Sequence, residues 1–276
     1  MTLRDALLEA SASISRRDAE TLLGHTLHRD RAWLLAHMDD DLAAADLESF
    51  RNLASRRAAQ QPLQHLTGVQ EFFGLELHVT NDVLIPRPET EHLVESVLDW
   101  ARARRDPHLN VVDVGTGSGA IAIALAAVLE HASVTAIDLS AAALAVARDN
   151  AERLGHAKRI EFLEGDLLAP LAGASATFDV VASNPPYVAL EDVPTLAPEV
   201  RDHEPALALF AGRDGLDIYR RLIPQALELL RPGGLLALEI GFGQRDALAE
   251  LLANWQSLRF ADDYAGIPRV ALAIRP

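Results

Sequence analysis

The chain contains no cysteine, and lysine occurs once, as Lys158, among 276 residues. The lack of cysteine excludes disulfides, thiol nucleophiles and thiolate metal sites, and it fits a reducing, cytoplasmic environment. Basic residues are fewer than acidic ones, so the formal net charge is −15. Because duplex-binding surfaces cluster lysine and arginine against the phosphates, we expect no nucleic-acid partner.

Long apolar runs are missing as well. No stretch reaches the roughly eighteen uncharged apolar residues that predict a membrane span, and we expect no membrane partner. The first ten residues include Arg4, Asp5 and Glu9 instead of the apolar core of a signal peptide. We therefore expect a cytoplasmic protein. Hydrophobic residues make up 49% of the chain, which is enough for a substantial core in one large or two modest domains.

Residues 1–67 are predicted to form a small helical domain. Apolar residues recur at helical spacing there, and Ser15 and Asp30 are placed to cap helices. The histidines of this region have no partner at metal-ligand spacing. Since this module carries no evident chemistry, we interpret it as a substrate-recognition domain.

Residues 68–88 are predicted to form a β-hairpin linker. Turn-forming pairs such as Phe73-Gly74 and Asn81-Asp82 interrupt this region. Residues 75–79 alternate like a strand, and residues 83–85 are predicted to pair with it. Pro88 and the acidic residues after it predict the start of a helix, which opens a larger domain at 89–276.

Strands and helices alternate from Leu109 onward. This alternation predicts an α/β fold, a doubly wound and mainly parallel sheet of seven strands with its functional site at the carboxyl ends of the strands. The predicted strands cover residues 111–114, 134–137, 160–163, 178–183, 235–240, 258–260 and 270–274.

The motif Asn184-Pro185-Pro186-Tyr187 follows an apolar, β-branched strand. Each proline fixes φ and removes an N–H, so the chain leaves the strand through a rigid, extended corner. The Asn184 side-chain oxygen and a proline carbonyl can accept the two N–H bonds of an –NH2 group, and Tyr187 can stack on its flat face. The alternative is an ordinary loop with a half-buried tyrosine.

A glycine-rich turn joins the first strand of this sheet to its helix, as Asp113-Val114-Gly115-Thr116-Gly117-Ser118-Gly119. Such a turn lets the backbone approach a ligand closely beside free helix N–H groups. The motif by itself also matches the dinucleotide pattern of dehydrogenases. Asp138, at the end of the second strand, is placed to accept both hydroxyls of a ribose, or alternatively to cap the next helix. Asp166, after the third strand, is placed to accept an adenine amino group, or is an ordinary turn residue.

In this order and spacing, the glycine turn, Asp138, Asp166 and the Asn-Pro-Pro-Tyr motif resemble a class I S-adenosylmethionine-dependent methyltransferase. Three further regions narrow the resemblance to one family of methyltransferases. They lie within residues 61–74, from Ile85 to Glu91 and within residues 263–270. They are similar to the peptide chain release factor glutamine N5-methyltransferase family, and the likeness covers essentially the full chain, including the helical domain and the hairpin linker.

The resemblance implies methyl transfer from S-adenosylmethionine to the side-chain amide of the glutamine in the Gly-Gly-Gln loop of release factors, in support of translation termination. No metal is implied. Leu167 stands where the family often has an aromatic residue beside the adenine. The residues implied to hold the cofactor are Gly115, Thr116, Gly117, Ser118, Gly119, Asp138, Asp166, Leu167 and Asn184. The substrate glutamine is implied to contact Asn184, Pro185, Pro186 and Tyr187, of which Asn184, Pro185 and Tyr187 are the expected catalytic residues.

Three alternatives stay open at this point. A glutamine methyltransferase acting on a ribosomal protein would use the same chemistry. An amino-group DNA methyltransferase would use the same corner but needs a basic groove and a base-flipping pocket, which the net charge of −15 disfavours. The third alternative is a cofactor-binding module without turnover.

Overall fold

The structure is a computed structural model that describes residues 1–104, 106–173 and 177–276. Two compact units divide these residues. We call Met1–Val69 together with Ala197–His203 the helical unit, and Gln70–Leu196 together with Glu204–Pro276 the sheet unit.

Five helices form the main part of the helical unit: α1 (Leu3–Ala10), α2 (Arg16–Leu27), α3 (Arg31–Ala36), α4 (Ala44–Ala58) and α5 (Leu63–Thr67). The side chains of Ser15 and Asp30 accept hydrogen bonds from backbone N–H groups of α2 and α3, as the sequence predicts. The core of this unit includes the buried side chains of Leu7, Leu22 and Phe50.

One ion-pair bridge joins distant parts of the helical unit. Arg57 Nε lies 2.8 Å from Asp18 Oδ2, and Arg57 Nη1 lies 2.8 Å from Glu199 Oε2. Glu199 belongs to residues 197–203, which lie more than 120 positions after the main part of this unit. The helical unit is therefore built from two separate stretches of sequence.

The β-hairpin consists of β1 (Val69–Phe72) and β2 (Leu75–His78). The predicted strand at residues 75–79 is therefore confirmed as β2, but its partner is β1. Phe73 and Gly74 form its two-residue turn with φ of 53° and 75°, the left-handed backbone that such tight turns require. The prediction that residues 83–85 pair with residues 75–79 is therefore wrong. The amide N–H of Asp82 donates to Thr80 Oγ1 (3.1 Å), so a local turn occupies the position where the predicted second strand would begin.

The sheet unit has a central sheet of seven strands. The strands are β3 (Asn110–Val114), β4 (Ser133–Asp138), β5 (Ile160–Glu164), β6 (Phe178–Ser183), β7 (Leu230–Glu239), β8 (Gln256–Asp262) and β9 (Pro268–Ile274). Their order in the sheet is β5-β4-β3-β6-β7-β9-β8. Neighbours from β5 to β7 are parallel, and β9 runs antiparallel to both β7 and β8. The predicted mainly parallel seven-stranded sheet is thus confirmed.

Helices cover both faces of this sheet, and one apolar cluster fills the space on each face. Val111 on β3 belongs to one cluster and Val112 to the other, because successive side chains of a strand point to opposite faces. The helices are α6 (Glu91–Arg102), α7 (Ala120–Val128), α8 (Ala141–Arg153), α10 (Ala206–Leu209), α11 (Asp217–Leu229) and α12 (Arg245–Leu251), while α9 (Pro198–His203) belongs to the helical unit. Among residues 1–104, 106–173 and 177–276, no helix is long and apolar enough to cross a membrane.

Candidate active site

A pocket lies at the carboxyl ends of β3, β4, β5 and β6, where the parallel strands open into loops. This is the edge at which doubly wound sheets bind their ligands. The sequence-predicted residues Gly115, Gly117, Asp138, Asp166, Leu167, Asn184, Pro185 and Pro186 line it, together with residues 82–84, Val114, Leu139, Ser140, Ala143, Gly165, Ser183, Pro205, Leu207, Ala208 and Ile218. The pocket lies within the sheet unit.

The glycines of the turn after β3 have separate functions. Gly115, Gly117 and Gly119 have φ of 73°, 55° and 84°, a backbone that disfavours other residues. A Cβ atom on Gly117 would meet no atom within 4 Å and would occupy open space at the pocket, so this glycine keeps the backbone open to a ligand. A Cβ on Gly119 would lie 2.9 Å from Ile123 Cδ1, so Gly119 permits close packing instead.

The side chain of Asp113 holds this turn from below, a role that the sequence analysis did not assign. Its Oδ2 accepts from Thr116 Oγ1 (2.6 Å) and from the amide of Ala122 (3.1 Å). Asp113 is fully buried, and burial raises the pKa of its carboxyl to about 7. The predicted cofactor residues Thr116, Ser118 and Gly119 are buried and do not line the pocket. The Ser118 carbonyl accepts a hydrogen bond from Asn150 Nδ2 (2.9 Å).

Asp138 uses both carboxylate oxygens to hold backbone amides. Oδ2 accepts from the amide of Gly117, and Oδ1 from the amide of Ser140, each at 2.9 Å. The helix cap itself is Ser140, whose Oγ accepts from the amide of Ala143 (3.1 Å). The alternative that Asp138 is the cap of α8 is therefore wrong, although Asp138 does brace the start of that helix. Each carboxylate oxygen can accept a second hydrogen bond, so Asp138 remains able to bind hydroxyl groups.

Asp166 and Leu167 follow β5 on the same side of the sheet. The amide of Gly165 donates to the carbonyl of Asp138 (2.9 Å), which brings this loop beside the end of β4. Asp166 Oδ2 is engaged by the guanidinium of Arg221, and this half-exposed ion pair was not predicted. Leu167 has φ of 52° and presents an apolar side chain to the pocket.

The Asn-Pro-Pro-Tyr corner leaves β6 as predicted. Ser183 Oγ donates to the carbonyl of Val114 (2.6 Å) and ties the strand end to β3. Asn184 Nδ2 donates to Thr90 Oγ1 (3.0 Å). Among the hydrogen bonds of the described residues, none engages Asn184 Oδ1, so the acceptor end of this amide is available in the pocket.

Tyr187 lies outside the set of residues that line the pocket. Its hydroxyl donates to Glu239 Oε1 (3.2 Å), and its ring packs against the core on one face of the sheet. Burial and the nearby Glu239 raise the pKa of the Tyr187 phenol above its ordinary value. In this structure the tyrosine supports the corner from behind, whereas the sequence predicts that it stacks on a ligand.

Three residues that sequence reasoning missed complete the corner. Thr90 Oγ1 donates to Glu239 Oε2 (2.6 Å), and Gln244 Nε2 donates to the carbonyl of Tyr187 (3.0 Å). Glu239 is 2% exposed, and burial raises its pKa to about 7. One signal for Glu239 was present in the sequence, since a carboxylate at the end of an apolar strand needs a buried partner.

The described parts of the chain contain no group of three or more histidine, aspartate or glutamate side chains placed to hold a metal ion. The site thus offers backbone amides, carboxylates and one side-chain amide to a ligand.

Two family models match the chain. Residues 2–68 match the PrmC N-terminal domain, and residues 105–261 match a methyltransferase domain. Among solved structures, a methyltransferase from Pyrococcus furiosus shares 19% identity with a TM-score of 0.55, over 80% of this chain and 98% of that one. The hMettl16 catalytic domain, solved with a MAT2A 3'UTR hairpin, shares 19% identity with a TM-score of 0.59, over 80% of this chain and 81% of that one. At this identity the likeness concerns the fold alone.

The sheet order, the pocket at its carboxyl edge and the matching domain define a methyltransferase. Comparison with relatives of known name shows which family of methyltransferases this chain belongs to. The release factor glutamine methyltransferase of Moorella thermoacetica is 48% identical over 100% of this chain and 99% of its own length. That of Geobacter sulfurreducens is 43% identical, over 97% of this chain and 92% of its own length. The chain belongs to the release factor glutamine methyltransferase family.

Proposed function

We propose that this chain transfers a methyl group from S-adenosylmethionine to the side-chain amide nitrogen (N5) of the glutamine in the Gly-Gly-Gln loop of peptide chain release factors. The observation that carries the proposal is the orientation of Asn184. Its amide nitrogen is engaged by Thr90, and its oxygen is left as an acceptor in a pocket that also contains the glycine turn and Asp138.

The groups that line the pocket fit the parts of this cofactor. The open backbone at Gly115 and Gly117 accommodates a ligand in close approach, and Asp138 retains acceptor capacity for ribose hydroxyls. Leu167 provides an apolar surface for a flat ring, and the free oxygen of Asp166 provides an acceptor for an exocyclic amino group. S-adenosylmethionine supplies an electrophilic methyl group on a sulfonium sulfur.

On the substrate side, Asn184 and Pro185 orient the amide. A glutamine nitrogen is a weak nucleophile because its lone pair is delocalised into the carbonyl. Acceptors on its two N–H bonds, the Asn184 Oδ1 atom and the Pro185 carbonyl, would hold the nitrogen in line and stabilise the positive charge that develops on it. The N–CH3 bond would form as the S–CH3 bond breaks, and the nitrogen would then release one N–H proton to solvent, leaving a neutral N-methyl amide. Such preorganised acceptors act mainly in the transition state and so raise the rate of transfer.

The decisive experiment is mass spectrometry of a release factor after incubation with the enzyme and isotopically labelled S-adenosylmethionine. We expect one methyl group on the glutamine of the Gly-Gly-Gln loop. Parallel incubations with a ribosomal protein and with duplex DNA should leave both unmethylated. Label on either of these in place of the release factor would overturn the proposal.

We further propose that residues 1–67 recognise the protein substrate, that residues 68–88 link the two parts, and that residues 89–276 carry the reaction. Support for this division comes from the pocket-lining residues, none of which belongs to residues 1–67; residues 82–84 of the linker border the pocket, and the other lining residues lie within 89–276. A chain beginning at residue 70 should bind cofactor normally. Its kcat/KM should fall on an intact release factor but not on a short Gly-Gly-Gln peptide.

The truncated chain needs its own folding control. Residues 197–203 pack with the helical unit, and Glu199 would lose Arg57. The full-length variant Glu199→Gln removes this ion pair without truncation, so it separates loss of the pair from loss of the recognition domain. Equal losses on protein and peptide substrates would contradict the proposed division of labour.

A further inference from the structure

We propose that Thr90 and Glu239 are positioning residues that determine which end of the Asn184 amide faces the substrate, and hence that the site accepts an amide and rejects a carboxylate. This inference rests on the proposed function. It extends that function by naming the part of the structure that selects glutamine over glutamate.

The observation is a continuous chain of hydrogen bonds behind the pocket. Asn184 Nδ2 donates to Thr90 Oγ1 (3.0 Å), and Thr90 Oγ1 donates to Glu239 Oε2 (2.6 Å). The hydroxyl of Tyr187 donates to the other oxygen of the same carboxylate (3.2 Å). Thr90 is 4% exposed and Glu239 is 2% exposed, so water does not compete for these bonds.

The chain matters because an asparagine amide has nearly the same shape in its two orientations. Oδ1 accepts hydrogen bonds and Nδ2 donates them, so the choice of orientation depends on the partners of the amide. An ionised carboxylate only accepts hydrogen bonds. Thr90 must therefore donate its single hydroxyl proton to Glu239, and its oxygen then accepts a hydrogen bond from Asn184 Nδ2. The Asn184 oxygen is thereby directed to the ligand.

Glu239 forces this role on Thr90 when it is ionised, which is its main form above its pKa of about 7. Burial and the charge of Glu89 oppose ionisation, while the hydrogen bonds from Thr90 and Tyr187 and the charge of Arg269 favour it. The balance raises the pKa of Glu239 to about 7. Other ionisable groups near this cluster include Tyr219, whose hydroxyl donates to the Glu239 carbonyl, Arg87, which acts on Tyr187 and pairs with Glu204, and Asp263, which pairs with Arg269.

A fixed acceptor at Asn184 Oδ1 has a direct consequence for specificity. A glutamine side chain can donate an N–H to it, whereas the oxygens of a glutamate side chain cannot donate and would be repelled. If the Asn184 amide could turn over, its Nδ2 would instead favour glutamate. Sites that hydrogen-bond a substrate group reject an analogue that lacks it, because a buried polar atom is left unpaired.

The test compares Thr90→Val, which removes the hydroxyl and keeps the shape, with Thr90→Ser, which keeps the hydroxyl. The matched control is Thr135→Val, a buried threonine in the middle of β4 with no part in this chain of hydrogen bonds. Binding of two release factors, one with Gly-Gly-Gln and one with Gly-Gly-Glu, is measured by calorimetry with S-adenosylhomocysteine present. Single-turnover methylation of the glutamine form is measured in parallel.

In Thr90→Val we expect the preference for glutamine over glutamate to fall at least about fivefold and the transfer rate to fall about 10- to 100-fold, less than a loss of Asn184 itself. Thr90→Ser should recover the wild-type preference, and Thr135→Val should retain it. A damaged fold would weaken both release factors equally and lower cofactor binding, so a changed preference at constant cofactor affinity is specific to the proposal. Glu239→Gln, which keeps the shape but presents a donor within the same network, provides a second route to the same loss of preference.

Two results would overturn the inference and can be told apart. If the wild-type enzyme fails to methylate the release factor, the proposed function is at fault. If the wild-type enzyme is active and both Thr90→Val and Glu239→Gln keep its rate and its preference for glutamine, Thr90 and Glu239 do not position Asn184.

Discussion

The glycine turn at residues 115–119 and the Asn-Pro-Pro-Tyr corner at residues 184–187 border the same pocket, but their supports come from different distances along the chain. The turn is held by Asp113, next to it in sequence, and by Asp138 at the end of the neighbouring strand. The corner depends on Thr90, 94 positions before Asn184, and on Glu239, 52 positions after Tyr187.

This difference reflects the tasks of the two regions. The turn presents mainly backbone amides, whose direction follows from the local φ and ψ, so a short motif suffices to define them. The corner presents a side-chain amide, whose two ends can exchange by rotation about one bond. The orientation of this amide therefore depends on hydrogen-bond partners outside the loop. We therefore expect changes at the corner to affect methyl transfer and changes at the turn to affect cofactor binding.

The largest expected effect comes from Asn184→Ala, which removes one acceptor at the reacting centre. Loss of one such preorganised contact lowers the rate by about 10²–10³-fold. Cofactor affinity, measured by calorimetry, should change only modestly because the turn and Asp138 are untouched. Near-normal single-turnover methylation would mean that the corner is only structural.

Asn184→Asp sharpens the same comparison. It keeps the size and an acceptor oxygen but replaces the Nδ2 donor to Thr90 with a second oxygen. The added negative charge should favour a cationic cofactor while the match to Thr90 and to the substrate amide is lost. We expect cofactor affinity to be equal or higher and methylation to be much slower. A parallel fall in both quantities would show that the two regions are not separable.

In contrast to the Asn184 variants, Asp138→Ala should mainly weaken cofactor binding. Loss of charge-assisted hydrogen bonds to the ribose would weaken S-adenosylmethionine binding by about 1.5–3 kcal/mol. Since Asp138 also holds the amides of Gly117 and Ser140, its removal also loosens the turn, and Asp138→Asn serves as the isosteric control. Calorimetry checks the affinity, and unchanged binding in Asp138→Ala would exclude a contact with the cofactor. NAD should not compete for the site.

The pH dependence of stability tests the buried support of the turn. Burial raises the pKa of Asp113 from an ordinary value of 3.8 to about 7, so between these values the folded state binds a proton that the unfolded state has released. The free energy of unfolding therefore falls as pH rises through this window, by up to about 1.4 kcal/mol per pH unit from this group.

Asp113→Asn removes that contribution. Denaturant unfolding of wild type and variant from pH 4 to pH 8 should show the stability difference shifting in favour of the variant as pH rises, and levelling off above about 7. A difference that is independent of pH would show that Asp113 is already ionised in the folded protein at low pH.

The smallest effect is expected from Arg221→Ala, which releases Asp166 from its ion pair. Both side chains are about half exposed, and exposed pairs contribute roughly 0–1 kcal/mol. Cofactor affinity should change by less than about fivefold, and Asp166→Asn should show whether the carboxylate charge itself matters. A large loss in Arg221→Ala would mean that the arginine, and not only Asp166, belongs to the binding site.

Much of the site could be predicted from local sequence. The strand segments, the glycine turn, Asp138 and the corner after β6 all follow from patterns confined to a few neighbouring residues, and the structure places the turn, Asp138 and the corner at one edge of the sheet. Local patterns also misled where several turns compete. The hairpin closes at Phe73-Gly74, because both residues adopt the left-handed backbone, and not at the turn near Asn81.

By itself, the amino-acid sequence determined the class of fold and most of the candidate groups at the pocket, because strand ends and tight turns are properties of short segments. Only the tertiary structure decided how those groups point. It turned Tyr187 inward onto Glu239, paired Asp166 with Arg221 and joined Asn184 to Thr90. The physical reason is that a buried polar atom requires a partner, and folding brings that partner from elsewhere in the chain.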